Sequence, residues 1–589
     1  MYGRILPGHV GPSSLAIGAL RGTINGMKRA ALVCLAAATV GLSACRGSGG
    51  AAPAAPPSAQ ATPARTVSDP TSSSGALGVL AFPTSGAAGA QDDFLRGVAW
   101  LHSFGYEDAI EAFRAAQTKD PDFAMAYWGE SLAFSQPLWF QEEPEKGRAA
   151  LARLAATADV RVAKAPTDRE KGFLRAVEAL WGAGSLPARA QAYADAMRTL
   201  SRAYPADDEV QVFYALSLLS TMPRGDLSLP LREQAGAIAE AVFKKNPAHP
   251  GAAHLILHAY DHSALAPRGL AAARAYAKVA PAASHALHMP AHFFVQLGHW
   301  QDAAASDTDS WNASVAWATR RQKSVTLRDF HSLVWLQYEL TQLGQFQRAQ
   351  QVATEVDAAM RVATEQDVIG GHHYGDSDIG RGSGPLALRN DKGSMRARYI
   401  LESERWSEMA GSNGFDNLDE LYVLGVSAAK LDDVARAVAV RNELIKASQP
   451  TMDPGLREQA AILLLELDAV AASEAGTPGV AFSRMEQAVA LQAKMPKPIG
   501  RPYPVKGADE LYGELLLHAG RAADAVGWFE KALVRTPNRS RAVLGLARAA
   551  AKAGDAAQSR RAYEQFLVNW ANADPGLPEL AEARAAVRP

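Results

Sequence analysis

Beyond about residue 90, apolar and polar positions along the chain repeat with the period of helices. Arg169 to Trp181 and Leu456 to Val470 set apolar residues three and four apart, which gathers them on one helical face. No stretch alternates strictly enough to predict a sheet. Small and aromatic residues then recur at fixed offsets. Gly97, Ala109, Phe113, Ala116 and Pro121 are 12, 4, 3 and 5 positions apart, and Gly513, Ala525, Phe529, Ala532 and Pro537 repeat those intervals. Ala547, Ser559, Tyr563 and Phe566 follow their counterparts after 34 residues. Small residues let two helices approach closely, and an aromatic ring fills the space left between them.

The central stretch keeps this frame more loosely, through Gly269, Ala273, Tyr276 and Pro281, then Gly298 and Ala303, then Gly344 and Ala349. Residues 130–230 and 390–500 are helical by period but match the frame poorly, and read as divergent helix pairs. A 34-residue helix–turn–helix period is that of tetratricopeptide (TPR) repeats. The expected fold is therefore all-α, a TPR-type helix–turn–helix solenoid wound as a right-handed superhelix. An N-terminal array spans 91–350, a Gly-rich loop region 351–395, and a C-terminal array 396–589. Within the loop region, the run from Ile369 to Gly384 carries too much glycine for a helix, and its His372 and His373 could fold over the groove.

The N-terminal part has a different composition. Met27-Lys28-Arg29 opens a basic stretch, Ala30 to Val40 is an apolar run too short to span a bilayer, and Leu42-Ser43-Ala44-Cys45 ends it. This pattern predicts a signal segment over 1–45, with Met27 the better start. The Leu-Ser-Ala-Cys ending resembles the bacterial lipoprotein box, which implies lipidation at Cys45, a membrane-anchored protein of the cell envelope and, with Arg46 next, the outer membrane facing the periplasm. Residues 46–90 are mostly Ala, Pro, Ser, Thr and Gly, a composition that predicts a disordered tether. Cys34 and Cys45 are the only cysteines, so the mature chain would have no disulfide and no thiolate ligand. Lys plus Arg is 60 against 61 acidic residues, with no basic run, which argues against a nucleic-acid partner.

The candidate chemistry is histidine. Of 14 in the chain, His254, His258, His285, His288 and His292 fall within about forty positions. His254 to His288, His258 to His292 and Pro247 to Pro281 are each 34 apart, so the two H-x3-H pairs should occupy the same place on neighbouring first helices. Stacking would bring four imidazoles into one patch, with His285 a turn upstream. His331 sits in its own repeat where His285 sits in its repeat. Two imidazoles at i and i+4 form a chelating pair for a divalent ion, although Pro290 between His288 and His292 should break or kink that helix. Asp261, His262 and Glu130 are possible further ligands, Tyr127 and Trp128 are expected in the repeat core, and Trp128, at His254's repeat position, could instead wall the groove. Without thiolates the candidate ions are zinc, copper, nickel, manganese and iron.

Asp120-Pro-Asp-Phe-Ala-Met-Ala-Tyr-Trp-Gly-Glu130, His249-Pro-Gly-Ala-Ala-His254, His258-Ala-Tyr-Asp261 and His285-Ala-Leu-His-Met-Pro-Ala-His292 resemble a bacterial family of long TPR proteins. The resemblance runs from Phe94 to roughly Trp406 and takes in Met395 to Tyr399, with Arg398 and Tyr399 as family-like residues. Ala291 stands where that family commonly has Ser, and Asp307 roughly where it has Asn. The resemblance implies a fold but no activity. Three readings remain open: a protein that holds a protein or small-molecule ligand in a histidine-lined groove through a divalent metal, a metal-dependent enzyme on a solenoid, and an assembly scaffold with structural histidines. In the first, Trp128, Glu130, Asp261 and His331 line the groove around the five histidines. Zinc-protease, phosphate-loop, dinucleotide and serine-hydrolase motifs are absent from the sequence.

Overall fold

Helix–turn–helix pairs follow one another along the chain. The structure is a computed structural model that describes residues 64–69, 76–367, 369–370, 384–409, 411–412, 414–449 and 454–588. In chain order the first helices are α1 (Gln91–His102), α2 (Tyr106–Lys119), α3 (Ala124–Leu132), α4 (Pro144–Leu154), the short α5 (Ala158–Lys164), α6 (Asp168–Leu180), α7 (Leu186–Ala203), α8 (Asp208–Leu219) and α9 (Leu229–Lys245). The central pairs are α10 (Pro250–Tyr260) with α11 (Ala266–Val279), α12 (Ser284–Leu297) with α13 (Trp300–Arg320), and α14 (Phe330–Gln342) with α15 (Phe346–Met360). Then come α16 (Pro385–Ser403), α17 (Leu418–Lys430), α18 (Val434–Ala447), α19 (Pro454–Glu474), α20 (Pro478–Gln492), α21 (Ala508–His518), α22 (Ala522–Arg535), α23 (Ser540–Ala553), α24 (Ala556–Asn569) and α25 (Pro578–Ala586). The fold is an all-α, TPR-type helical-repeat solenoid.

Local chemistry sets the helix ends. Asp207, Asp329, Asn417 and Asp555 each accept a hydrogen bond from a backbone N–H of the first turn, and Thr167 with Glu170 forms a reciprocal cap on α6. Gly298 and Gly554 close α12 and α23 in the left-handed conformation. The recurrent small and aromatic positions are one packing device. The Phe113 ring lies between Gly97 and Gly129, where an added Cβ would approach it to 2.7 and 2.3 Å. Phe529 lies in the same way between Gly513 and Gly545, at 3.1 and 2.2 Å.

The structure departs from the sequence expectation in three places. First, part of the stretch 46–90, expected to be a tether, is folded: β1 (Arg65–Ser68) pairs antiparallel with β2 (Ala76–Leu80). Val79 N–H donates to the Ala248 carbonyl at 2.8 Å, and Leu77, Leu80 and Phe82 are buried. Such a segment has too few apolar residues to fold alone, but those three dock into a core already built by the repeats. A second small hairpin joins β3 (Ser135–Gln136) to β4 (Gln141–Glu142).

Second, the loop region 351–395 is helical at both ends, within α15 and α16. Residues 371–383 lie outside the described residues. Third, the two arrays share one core. Trp300 donates to the Asn538 carbonyl (2.7 Å), Trp570 to the Gln342 carbonyl (3.1 Å), and Arg539 reaches the Tyr338 hydroxyl (3.1 Å).

Candidate metal centres

Helical register positions the histidines. His254 and His258 are the fifth and ninth residues of α10, and His288 and His292 are the fifth and ninth of α12. The two helices touch directly. His285 and His331 are each the second residue of their helix, α12 and α14. Pro290 does not break α12, which runs unbroken through it, so the pair on either side keeps its i,i+4 geometry.

The five histidines do not form one patch. With His331 they make two triads, each an i,i+4 pair on one first helix joined by the second residue of the next first helix. Site 1 is His254, His258 and His285; site 2 is His288, His292 and His331. In each, three ring nitrogens lie within 4.8 Å of one another. The reason is reach: a helix-start residue leans back toward the neighbouring helix, whereas the two H-x3-H pairs stay one helix spacing apart. At site 1, His258 Nε2 is 2.9 Å from His254 Nε2 and 3.4 Å from His285 Nε2. At site 2, His288 Nε2 and His292 Nε2 are 2.9 Å apart. Two nitrogens bound to one zinc-sized ion at about 2.0–2.1 Å sit roughly 2.9 Å apart at a right angle and roughly 3.4 Å at the tetrahedral angle.

At three of these rings the other nitrogen is held by an acceptor. His254 Nδ1 is 2.6 Å from the His102 carbonyl, which can only accept, so Nδ1 carries the proton and Nε2 presents a lone pair. Burial drives the His254 pKa down to about 3, keeping that ring neutral. His288 Nδ1 meets Asp307 Oδ1 at 2.6 Å, and His292 Nδ1 meets Asp261 Oδ2 at 2.9 Å. A carboxylate or carbonyl behind the imidazole is the arrangement that orients metal-ligating histidines. Burial raises the Asp307 carboxyl well above the usual range, and burial followed by the nearby Asp307 charge does the same to Glu339.

A third cluster shows the contrast. His102, Glu209 and His249 are all buried, and His102 Nε2 is 2.8 Å from Glu209 Oε2. His249 caps α10, its Nδ1 accepting from Ala252 N–H at 3.2 Å, so its Nε2 carries a proton and faces Glu209 Oε1 at 3.3 Å. Burial alone would raise the Glu209 carboxyl, but the two imidazoles hold it at about 2. These contacts fasten α1, α8 and α10 together. The His102 carbonyl then carries that support to site 1.

The other expected residues distribute unevenly. Asp261 stands behind site 2, where it also accepts from Gln296 Nε2 at 2.8 Å, and His331 is a member of that site. Trp128 is not a groove wall. It is buried among Phe82, Phe173 and Phe213, because Phe82 from the N-terminal segment fills the space in front of it. Glu130 is not near the histidines either; it is buried against Arg114 (2.8 Å), Gln117 (2.6 Å) and Arg153. Tyr127 donates to the Pro121 carbonyl, and His262 accepts from Ala264 N–H outside both triads. Arg398 donates to the Pro502 carbonyl, and the Tyr399 hydroxyl accepts from Arg405. His372, His373 and Cys45 lie outside the described residues.

Several residues that shape the sites gave no periodic signal. Phe104 and Trp139 come from turns and pack on the site 1 rings: Phe104 is 4.3, 5.2 and 5.6 Å from His254, His258 and His285, and Trp139 is 5.4 Å from His285. Trp335 lies 4.4 Å from His292, and Gly500, from the segment between α20 and α21, packs against the Trp335 ring. The C-terminal half therefore reaches the surroundings of site 2.

No protein-family model matches the chain, and no curated protein matches it. Among solved structures, it is similar to the Cut9–Hcn1 hetero-tetramer of the APC/C, with 11% identity, 86% of this chain and 78% of that chain covered, and a TM-score of 0.28. It is also similar to yeast Tom70, with 12% identity, 84% and 95% covered, and a TM-score of 0.31. Overlaps this loose say nothing about the sites, and the repeat architecture stands on the helix pairing itself.

Proposed function

We propose that this protein binds divalent transition-metal ions at two tri-histidine sites on consecutive repeats, and through them holds a ligand or partner. What supports the reading is the convergence of three ring nitrogens in each triad while the far nitrogens of His254, His288 and His292 are held by acceptors. Lone pairs aimed at a common point repel unless a cation lies between them. A single metal ion would engage all three converging nitrogens at once. Imidazole-only ligation suits zinc and copper best. Three protein ligands leave at least one coordination position for water or an exogenous group.

The same reading places the solenoid in the cell envelope, tethered by a lipid on Cys45 and facing the periplasm. A second reading, a metal-dependent enzyme, draws on one observation: His258 and His285 are only half-buried, so the open position at site 1 could be reached from outside.

The test is elemental analysis of the purified full-length protein, handled without imidazole or chelator, alongside the double variant His258→Ala/His292→Ala, which takes one ligand from each site. The parent should carry close to two equivalents of one metal and the variant little, with helical content unchanged. Metal-free parent protein whose melting is unmoved by zinc or copper would leave the histidines as packing residues and favour the scaffold reading.

A further inference from the structure

A cavity lies beside site 1, on the other side of Phe104. It is a cleft open to solvent on one side, with about 550 Å³ of empty space when the open part is counted, between α1, α3, α6, α7, α8 and the β3–β4 hairpin. Leucines and aromatic rings make most of its wall, and no charged side chain lines it. Three features separate it from a packing defect.

Of the six described non-glycine residues with positive φ, two are aromatic, Phe104 (φ 57°) and Phe140 (φ 56°), and both line this cavity. A bulky residue in the left-handed region costs free energy, and such positions cluster at active sites and ligand clamps. The two segments that carry these residues also reach the histidines. Phe104 contacts all three rings of site 1, while Trp139, next to Phe140, packs 5.3 Å from Phe104 and 5.4 Å from His285. Finally, Tyr193 lines the cavity with its hydroxyl buried and without a hydrogen-bond partner. A buried hydroxyl left unpaired is costly, and a bound molecule with one polar group would satisfy it.

We propose that this cavity is a binding site for a small, neutral molecule of one or two rings that bears a single hydroxyl or carbonyl group. The molecule packs against Leu216 and Ala190, pairs its polar group with Tyr193, and shares the Phe104 wall with site 1. Binding in the cavity does not depend on the metal reading above. Only the coupling across Phe104 rests on it.

The probes are 2-naphthol and naphthalene, titrated calorimetrically into the full-length protein with cobalt added as a visible reporter of the histidine sites. The expected result is saturable one-to-one binding of both probes. Ala190→Trp, which fills the cavity, should weaken both at least tenfold. Tyr193→Phe should weaken 2-naphthol several-fold and leave naphthalene unchanged. Circular dichroism checks the fold of each variant, and Leu216→Phe replaces Ala190→Trp if the latter does not fold. Absence of saturable binding to the folded parent overturns the proposal, as does equal affinity in the cavity-filling variant. A shift of the cobalt spectrum on probe addition supports the coupling. Cobalt uptake without any such shift overturns the coupling alone. Probe binding without cobalt uptake overturns the metal reading and leaves the cavity assignment standing.

Discussion

Replacing Asp307 with Asn separates metal binding from folding at site 2. In the parent, Asp307 Oδ1 stands 2.6 Å from His288 Nδ1, fixing that ring with Nε2 toward His292. Asp307 is fully buried, and burial itself opposes its charge. Asparagine has nearly the same shape and is neutral, and burial already disfavours the charge on Asp307, so the metal-free variant should melt close to the parent. It keeps one acceptor oxygen but loses the negative charge that makes the imidazole a better donor to a cation. Loss of such a partner typically weakens metal affinity about 10- to 100-fold, equivalent to about 1.4–2.7 kcal/mol. Site 1 should be untouched, because His254 is oriented by the His102 backbone carbonyl rather than by a side chain. Competition with a chromophoric chelator resolves two binding steps. The weaker-binding step in Asp307→Asn should belong to site 2, identified by its further loss in Asp307→Asn/His331→Ala. Affinity within twofold of the parent, or an equal fall at both steps, would refute the argument that this carboxylate supports one site only.

Three other outcomes follow from named contacts. Burial alone would raise the Glu510 carboxyl, but Arg539 at 2.5 Å and Lys506 at 2.6 Å hold it at about 2, below its ordinary value of 4.5. Its contribution is thus fully present above pH 4.5 and lost as pH falls toward 2; urea melts across that range should lose part of their pH dependence in Glu510→Gln, and an unchanged dependence counts against the assignment. Phe529→Ala empties the space between Gly513 and Gly545 and should cost the C-terminal repeats about 3–5 kcal/mol, read by chemical denaturation, whereas a cost under 1 kcal/mol would mean the ring is not the spacer described. Cys45→Ala should move the protein out of the membrane fraction or leave it unprocessed, and normal membrane retention would remove the lipid anchor.

The helices and the histidine register were legible in the sequence because both depend on intervals along one chain. A 34-residue period fixes which residues occupy equivalent places on successive first helices, so His254 and His288, or His258 and His292, could be paired by counting. The Gly–Phe–Gly spacer was legible for the same reason. Partnership across helices depends on side-chain reach, which counting does not supply. Only the tertiary structure decided that the register yields two triads rather than one patch, because His285 and His331 lean back to the preceding pair. Phe104, Trp139, Asp307 and Gly500 come from turns, a second helix and a distant loop, none in register with the histidines. The three-dimensional path of the chain brings them there. Trp128 had the right place in its repeat and the wrong surroundings, since Phe82 from the strand-forming N-terminal segment fills the space it would have faced. Periodicity determined where each side chain sits on its own helix, and long-range packing determined what it meets.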